Sequence, residues 1–100
     1  MELARVLGQV VSTVKEPGLD KFTLLLLQDT PDPGSDAGGD PGGGTFVAVD
    51  LVGAGVGEVV LVVRGGAARV AAGADIPTDR AVVGIADSVI RGGTVTYRKS

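Results

Sequence analysis

Val47-Ala48-Val49-Asp50-Leu51-Val52-Gly53-Ala54-Gly55-Val56-Gly57-Glu58-Val59-Val60-Leu61-Val62-Val63-Arg64 decides how this chain reads. A β-prone apolar segment, a glycine turn and a second apolar segment follow one another, the pattern of strand, turn and strand. Val59 to Val63 contains no polar residue. A strand with one wet face alternates apolar and polar side chains, so an unbroken run calls for burial on both faces. One face fits the core of a small barrel. The other is expected to meet a partner chain. Assembly is therefore predicted before any chemistry.

Working outward, 100 residues make one domain, and a chain of that size buries only about two-thirds of its unfolded surface. Its aromatics are Phe22, Phe46 and Tyr97 alone, so the core must come from Val, Leu, Ile and Ala, which favours strand. Leu3 to Val14 is a long strand candidate with apolar residues on both faces. Gly8 sits in its middle, where glycine marks a bulge or sharp bend. Lys15-Glu16-Pro17-Gly18 is a turn. Phe22 to Gln28, with four consecutive leucines, is a second strand, because the prolines on either side leave room only for a short element. Thr45 to Leu51 and Val59 to Val63 are strands three and four. Gly66 to Gly73 allows one or two helical turns, and Pro77-Thr78-Asp79 a turn. Ala81 to Ile90 is strand five. Gly92-Gly93 then permits a hairpin into the β-prone tail Thr94-Val95-Thr96-Tyr97. The predicted fold is mostly β: a small OB-like five-stranded barrel with one short helix and a β-prone C-terminal tail.

Residues 31–44 are rich in Gly, Pro and Asp and offer nothing large to bury. This stretch is expected to be a flexible, exposed loop, a tolerated insertion rather than a charged lid. The chain has no Cys, so no disulfide staples the fold. The N-terminus lacks a basic segment followed by a long apolar one, and no apolar run approaches the roughly 20 residues that span a bilayer. A cytoplasmic location without membrane association is expected. A net charge of −3 and a pI near 4.7 argue against general nucleic-acid binding. Single-strand binding by an OB-like barrel also needs a basic groove and stacking aromatics, which are scarce here.

Gly53-Ala54-Gly55-Val56-Gly57 invites a phosphate-loop reading that fails in detail. The dinucleotide pattern needs glycine where Glu58 stands and must open a helix, whereas Val59 onward is strand-like. The Lys-Ser/Thr pair of a Walker loop is missing. A tight turn with positive φ, or a close backbone approach, is the expected role. With neither His nor Cys, there is no imidazole base, no thiolate nucleophile and no usual zinc set. Asp50, Glu58, Asp79 and Asp87 stand singly at strand ends and turns, where acids cap turns and pair with arginines. No catalytic residue, cofactor or metal is expected.

Taken together and in order, these segments resemble the bacterial microcompartment vertex proteins, the EutN/CcmL family. The resemblance lies in Met1 to Thr13, in Lys21 to Gln28, and above all in Val47 to Val60. It continues through Gly65-Gly66-Ala67-Ala68-Arg69 and Pro77 to Val89. The departure is the loop Pro31 to Gly44, where relatives are usually shorter. The resemblance implies a homopentamer of small barrels that caps the vertices of a protein shell and docks hexameric and trimeric shell proteins, with no catalysis of its own. Gly53, Gly55 and Gly57 then become structural turn residues, with Glu58 and Arg69 as polar candidates near a subunit boundary. Pro77, Asp79 and Arg80 are candidates for docking to the shell. An OB-like barrel that binds a ligand or an oligonucleotide is the alternative.

Overall fold

A computed structural model describes residues 1–13, 16–34, 44–73 and 76–99. Five strands carry the apolar runs: β1 (Glu2–Val10), β2 (Thr23–Asp29), β3 (Thr45–Asp50), β4 (Val59–Arg64) and β5 (Arg80–Ile85). They close into a barrel in the order β1-β2-β3-β5-β4. Every neighbouring pair is antiparallel except β3 and β5, which run parallel. The bend expected at Gly8 is a bulge, since the β1–β2 register slips between Val6 and Gly8.

Strand alternation sorts the apolar residues into two cores. Ala4, Val6, Leu25, Leu27, Ala48, Val60, Val62 and Val82 fill the barrel interior. Val49, Val63 and Ala81 point outward from the same wall and form a second cluster with Ala68. Ala68 belongs to the helix α1 (Gly66–Ala72), which joins β4 to β5. Gly65 and Gly73 bracket α1 with positive φ, where a side chain is disfavoured. Alanine is the best helix former and projects least, so this short helix can lie close against the wall. A 3-10 turn at Leu19–Lys21 brings Leu19 and Phe22 to the same cluster.

Three expectations are corrected. Val59 to Val63 does not depend on a partner chain for most of its burial. Val60 and Val62 face the interior, Val63 lies in the outer cluster, Val59 is fully buried, and only Leu61 is half-buried. A seven-residue helix supplies the cover over Val63, which the strand's own pattern does not encode. The strand read as Ala81 to Ile90 is two strands. β5 ends at Ile85, and β6 (Ser88–Arg91) pairs with β7 (Thr94–Arg98) in a separate hairpin. Asp87 lies between them, and its carbonyl accepts from the Lys99 N–H. Gly92 and Gly93 turn that hairpin with φ of +57° and +79°, as the Gly-Gly pair predicts. The loop read as wholly exposed contains a buried residue, Pro33, whose carbonyl accepts from Arg5. The expected flexibility of residues 35–43, and the Lys15 end of the first turn, lie outside the described residues.

Leu27 and Val70 test this partition. Leu27→Ala removes a fully buried side chain and should cost about 2–5 kcal/mol in chemical denaturation. Val70 on α1 is 85% exposed, so Val70→Ala should stay within about 0.5 kcal/mol of the parent.

Candidate functional site

Both ends of the barrel are shut by side chains. At one end β3 stops at Asp50, whose carboxylate organises the turn that follows. Oδ1 accepts from the N–H groups of Val52 and Gly53, and Oδ2 from that of Ala54. An aspartate that gathers consecutive backbone donors folds the chain back on itself. Ala54 is thereby packed against the barrel core, next to Ile85 at the end of β5. Gly53 and Gly57 complete the turn with φ of +79° and +88°. Gly55 does not share that conformation. A Cβ there would stand 3.3 Å from Glu58 Oε1, which accepts from the Gly55 N–H at 2.6 Å.

At the other end Glu2, Asp29, Thr45, Arg64 and Arg80 gather from all five strands. Phe46 packs on the core beneath them, and the Arg80 guanidinium lies 4.1 Å from its ring centre. Arg64 makes a two-pronged ion pair with Glu2. That pairing holds the Glu2 carboxyl below its ordinary value and raises Arg64.

The C-terminal hairpin is fastened to the barrel by polar contacts. Arg5, on the outer face of β1, donates to the carbonyls of Gly57 and Pro33, and its guanidinium lies 5.9 Å from the Tyr97 ring centre. Glu58, paired through Oε1 with the turn, holds Lys99 through Oε2 at 2.6 Å. The hydrogen bond from Lys99, then the one from Gly55, lowers the Glu58 carboxyl, and Lys99 is raised in return. These groups line a groove of about 310 Å³ with Val56 and Arg98. Its acid is spent on a lysine and a backbone N–H, so the groove presents no unpaired carboxylate for chemistry. Among the described residues no cluster of acids could hold a metal, and no helix is long and apolar enough to cross a membrane.

The residues singled out by sequence are thus spread over the molecule. Gly53, Gly55, Gly57 and Glu58 share the turn before β4. Arg69 is exposed on α1, beyond the far end of that strand, so Glu58 and Arg69 are not brought together. Pro77 is exposed, Asp79 gives its carbonyl to the Gly65 N–H, and Arg80 opens β5 with its side chain half-buried on Phe46. Sequence reasoning missed Arg5, whose partners lie 28 and 52 residues away, and the Glu2–Arg64 pair at a separation of 62. Neither leaves a local pattern to find.

Comparison with known proteins places this geometry. The family model described as ethanolamine utilisation protein EutN/carboxysome matches residues 1–87. The bacterial microcompartment shell vertex protein EutN of Salmonella typhimurium is 44% identical over 99% of this chain and 96% of its own length. The carboxysome shell vertex protein CcmL of Synechocystis is 48% identical over 99% of this chain and 95% of its own. Among solved structures, the pentameric microcompartment shell protein GrpN from Rhodospirillum rubrum superposes with a TM-score of 0.76. It is 41% identical and covers 91% of this chain and 99% of that one.

Two outcomes are expected. Asp50→Ala, which frees three backbone donors, should destabilise the chain by about 1–2 kcal/mol, with Asp50→Asn intermediate. The clasp on the hairpin should be pH-dependent. Because the folded Glu58 carboxyl is lowered from 4.5, its contribution is complete above that pH and is lost as the pH falls below it. Tyr97 is the only tyrosine and tryptophan is absent, so intrinsic fluorescence reports the hairpin. The signal should be flat from neutral pH to about 4.5 and change below it. Glu58→Gln should lack that step.

Proposed function

The chain belongs to the EutN/CcmL family, and from that premise we propose that it forms the pentameric vertices of a bacterial microcompartment shell. The observation that carries this reading is the match of the whole barrel to shell vertex proteins, together with a pentameric relative of the same fold. Its role is structural. Flat tiles of six-fold symmetry pave a sheet, and five-fold units introduce the curvature that closes it. A cyclic pentamer uses one interface repeated head to tail until the ring closes. The partners beyond the pentamer are the hexameric and trimeric tiles of the same shell. The whole of residues 1–100 acts as one vertex domain, with residues 31–44 as an appended loop.

The polar candidates take their places in this reading. The turn Gly53, Gly55, Gly57 and Glu58 links the Asp50 end of the barrel to the hairpin near a subunit boundary. Arg69 stands on the exposed side of α1, on the face turned towards that boundary. Pro77 and Asp79 offer an exposed corner to the shell tiles, and Arg80 stiffens that corner through Phe46. The alternative, a ligand-binding barrel, finds less support. The strands that would form a binding face are covered by α1 on one wall, and the barrel ends are filled by Ala54 and by Phe46.

Electron microscopy of shells made with and without this chain tests the proposal. Co-expression with the hexameric and trimeric shell proteins of the same source should give closed polyhedra. Omitting the chain should leave open or elongated shells. Closed polyhedra of equal size and permeability in both cases would reject the vertex role.

A further inference from the structure

Gly8 is unexplained by the described residues of its own chain. Its φ is not positive, so no left-handed conformation demands glycine there. A Cβ built on it meets no atom of the described residues within 4 Å. The adjacent bulge needs no glycine either, because only one class of bulge places a residue at positive φ. Yet glycine inside a strand costs about 0.5–1 kcal/mol relative to alanine. A strand glycine marks a bulge, a tight bend or a place where another backbone or molecule comes close, and with the bulge making no demand for glycine we take the last reading.

The surroundings of Gly8 say what that molecule is. Gly8 pairs with Leu26, and Leu26 with Val47, so the three form one row across β1, β2 and β3. Their neighbours Leu25, Leu27 and Ala48 point inward and are buried. The row therefore faces outward, with Leu26 half-buried and Val47 44% exposed. It is an apolar strip with a dent where the glycine lacks a side chain. The opposite shape occurs on the hairpin. Ile90 and Val95 pair across it and share a face, 67% and 42% exposed. Val89 and Tyr97 share the other face, and Tyr97 is the ring beneath Arg5. The hairpin is held through Glu58, beside β4, and through Arg5 of β1 beneath Tyr97, whereas Leu26 and Val47 of the strip lie on β2 and β3. A two-stranded hairpin alone in water is marginally stable and gains from cover.

We propose that the Gly8–Leu26–Val47 strip is the seat of a second copy of this chain, which lays the Ile90–Val95 face of its hairpin there. This rests on the pentameric reading and names the surfaces that make it. A head-to-tail ring needs two different, complementary patches on each chain, and a dented strip with a projecting apolar pair meets that need. The occupant is a second copy because solved relatives of this fold self-associate as a pentamer.

Native mass spectrometry with far-ultraviolet circular dichroism tests it. The parent should be a pentamer. Gly8→Val adds a β-favouring side chain into space that no described residue of its own chain fills, so the strand spectrum should persist while the pentamer weakens at least a hundredfold. The paired change Ile90→Ser with Val95→Ser should do the same from the other side, and Val70→Ser should leave the pentamer intact. A monomeric parent would overturn the pentameric reading and this proposal with it. A pentameric parent whose ring survives both changes overturns only the proposal. If Gly8→Val loses its strand spectrum, the hairpin pair decides in the same way.

Discussion

Closure of the barrel depends on a seam only two residue pairs long. β3 and β5 meet in parallel at Val49–Ala81 and Asp50–Val82 and nowhere else. Such a seam has few hydrogen bonds to hold it, and parallel pairing is slightly weaker per residue than antiparallel. What secures it is packing on both sides. Val82 faces the interior cluster, while Val49 and Ala81 face the outer one beneath Ala68. The backbone N–H of Leu51, just past the seam, donates to the Val82 carbonyl and extends it by one bond. Asp50 then turns the chain sharply at the seam's end. The helix, the outer core and the glycine turn are thus one structural answer to the weakest joint of the ring.

Closure also decides how the chain can associate. A closed barrel presents no continuous free edge for a neighbour to extend, so association by simple strand addition is blocked around most of the wall. Contacts between copies must then use side-chain faces or a part outside the barrel. The hairpin is that part: it forms its own two-stranded sheet, beyond the residues matched by the family model. Its fastening is polar, through Arg5, Glu58 and Lys99, and exposed ion pairs of this kind each contribute little. The hairpin is therefore located rather than locked, which suits an element that settles finally against another copy.

The fold was largely legible because it rests on short-range pattern. The leucine run of Phe22 to Gln28 between nearby prolines, the apolar run of Val59 to Val63, the Gly-Gly hairpin and the glycine brackets of α1 each act within a few residues, and each element was found. The errors arose where covering came from elsewhere. Val63 looked orphaned because the sequence does not reveal that Ala68 folds back over the same wall. Ala81 to Ile90 looked continuous because the break at Ala86–Asp87 depends on pairing: the Ala86 N–H goes to Val59 and the Asp87 carbonyl to Lys99. Of the candidate residues, Gly53 and Gly57 show the positive φ expected of them. Glu58 and Arg69 were grouped by chemistry alone, and a whole strand separates them. Arg5 carried no signal at all, because its three partners, in two loops and in strand β7, lie far along the chain and meet it only in the finished fold.

The division between polar ends and an apolar wall has a consequence for a shell vertex. Ionic contacts at the rims weaken with salt and, for Glu2 and Glu58, with acid. Contacts between apolar walls do neither to any comparable degree. A ring made through the wall would therefore hold its five-fold shape across conditions in which the ionic contacts at the rims come and go. Five identical wall contacts must also close without strain, which favours small side chains and a dent over large interlocking groups. Valine, leucine and glycine on a barrel with almost no aromatics are what that constraint selects.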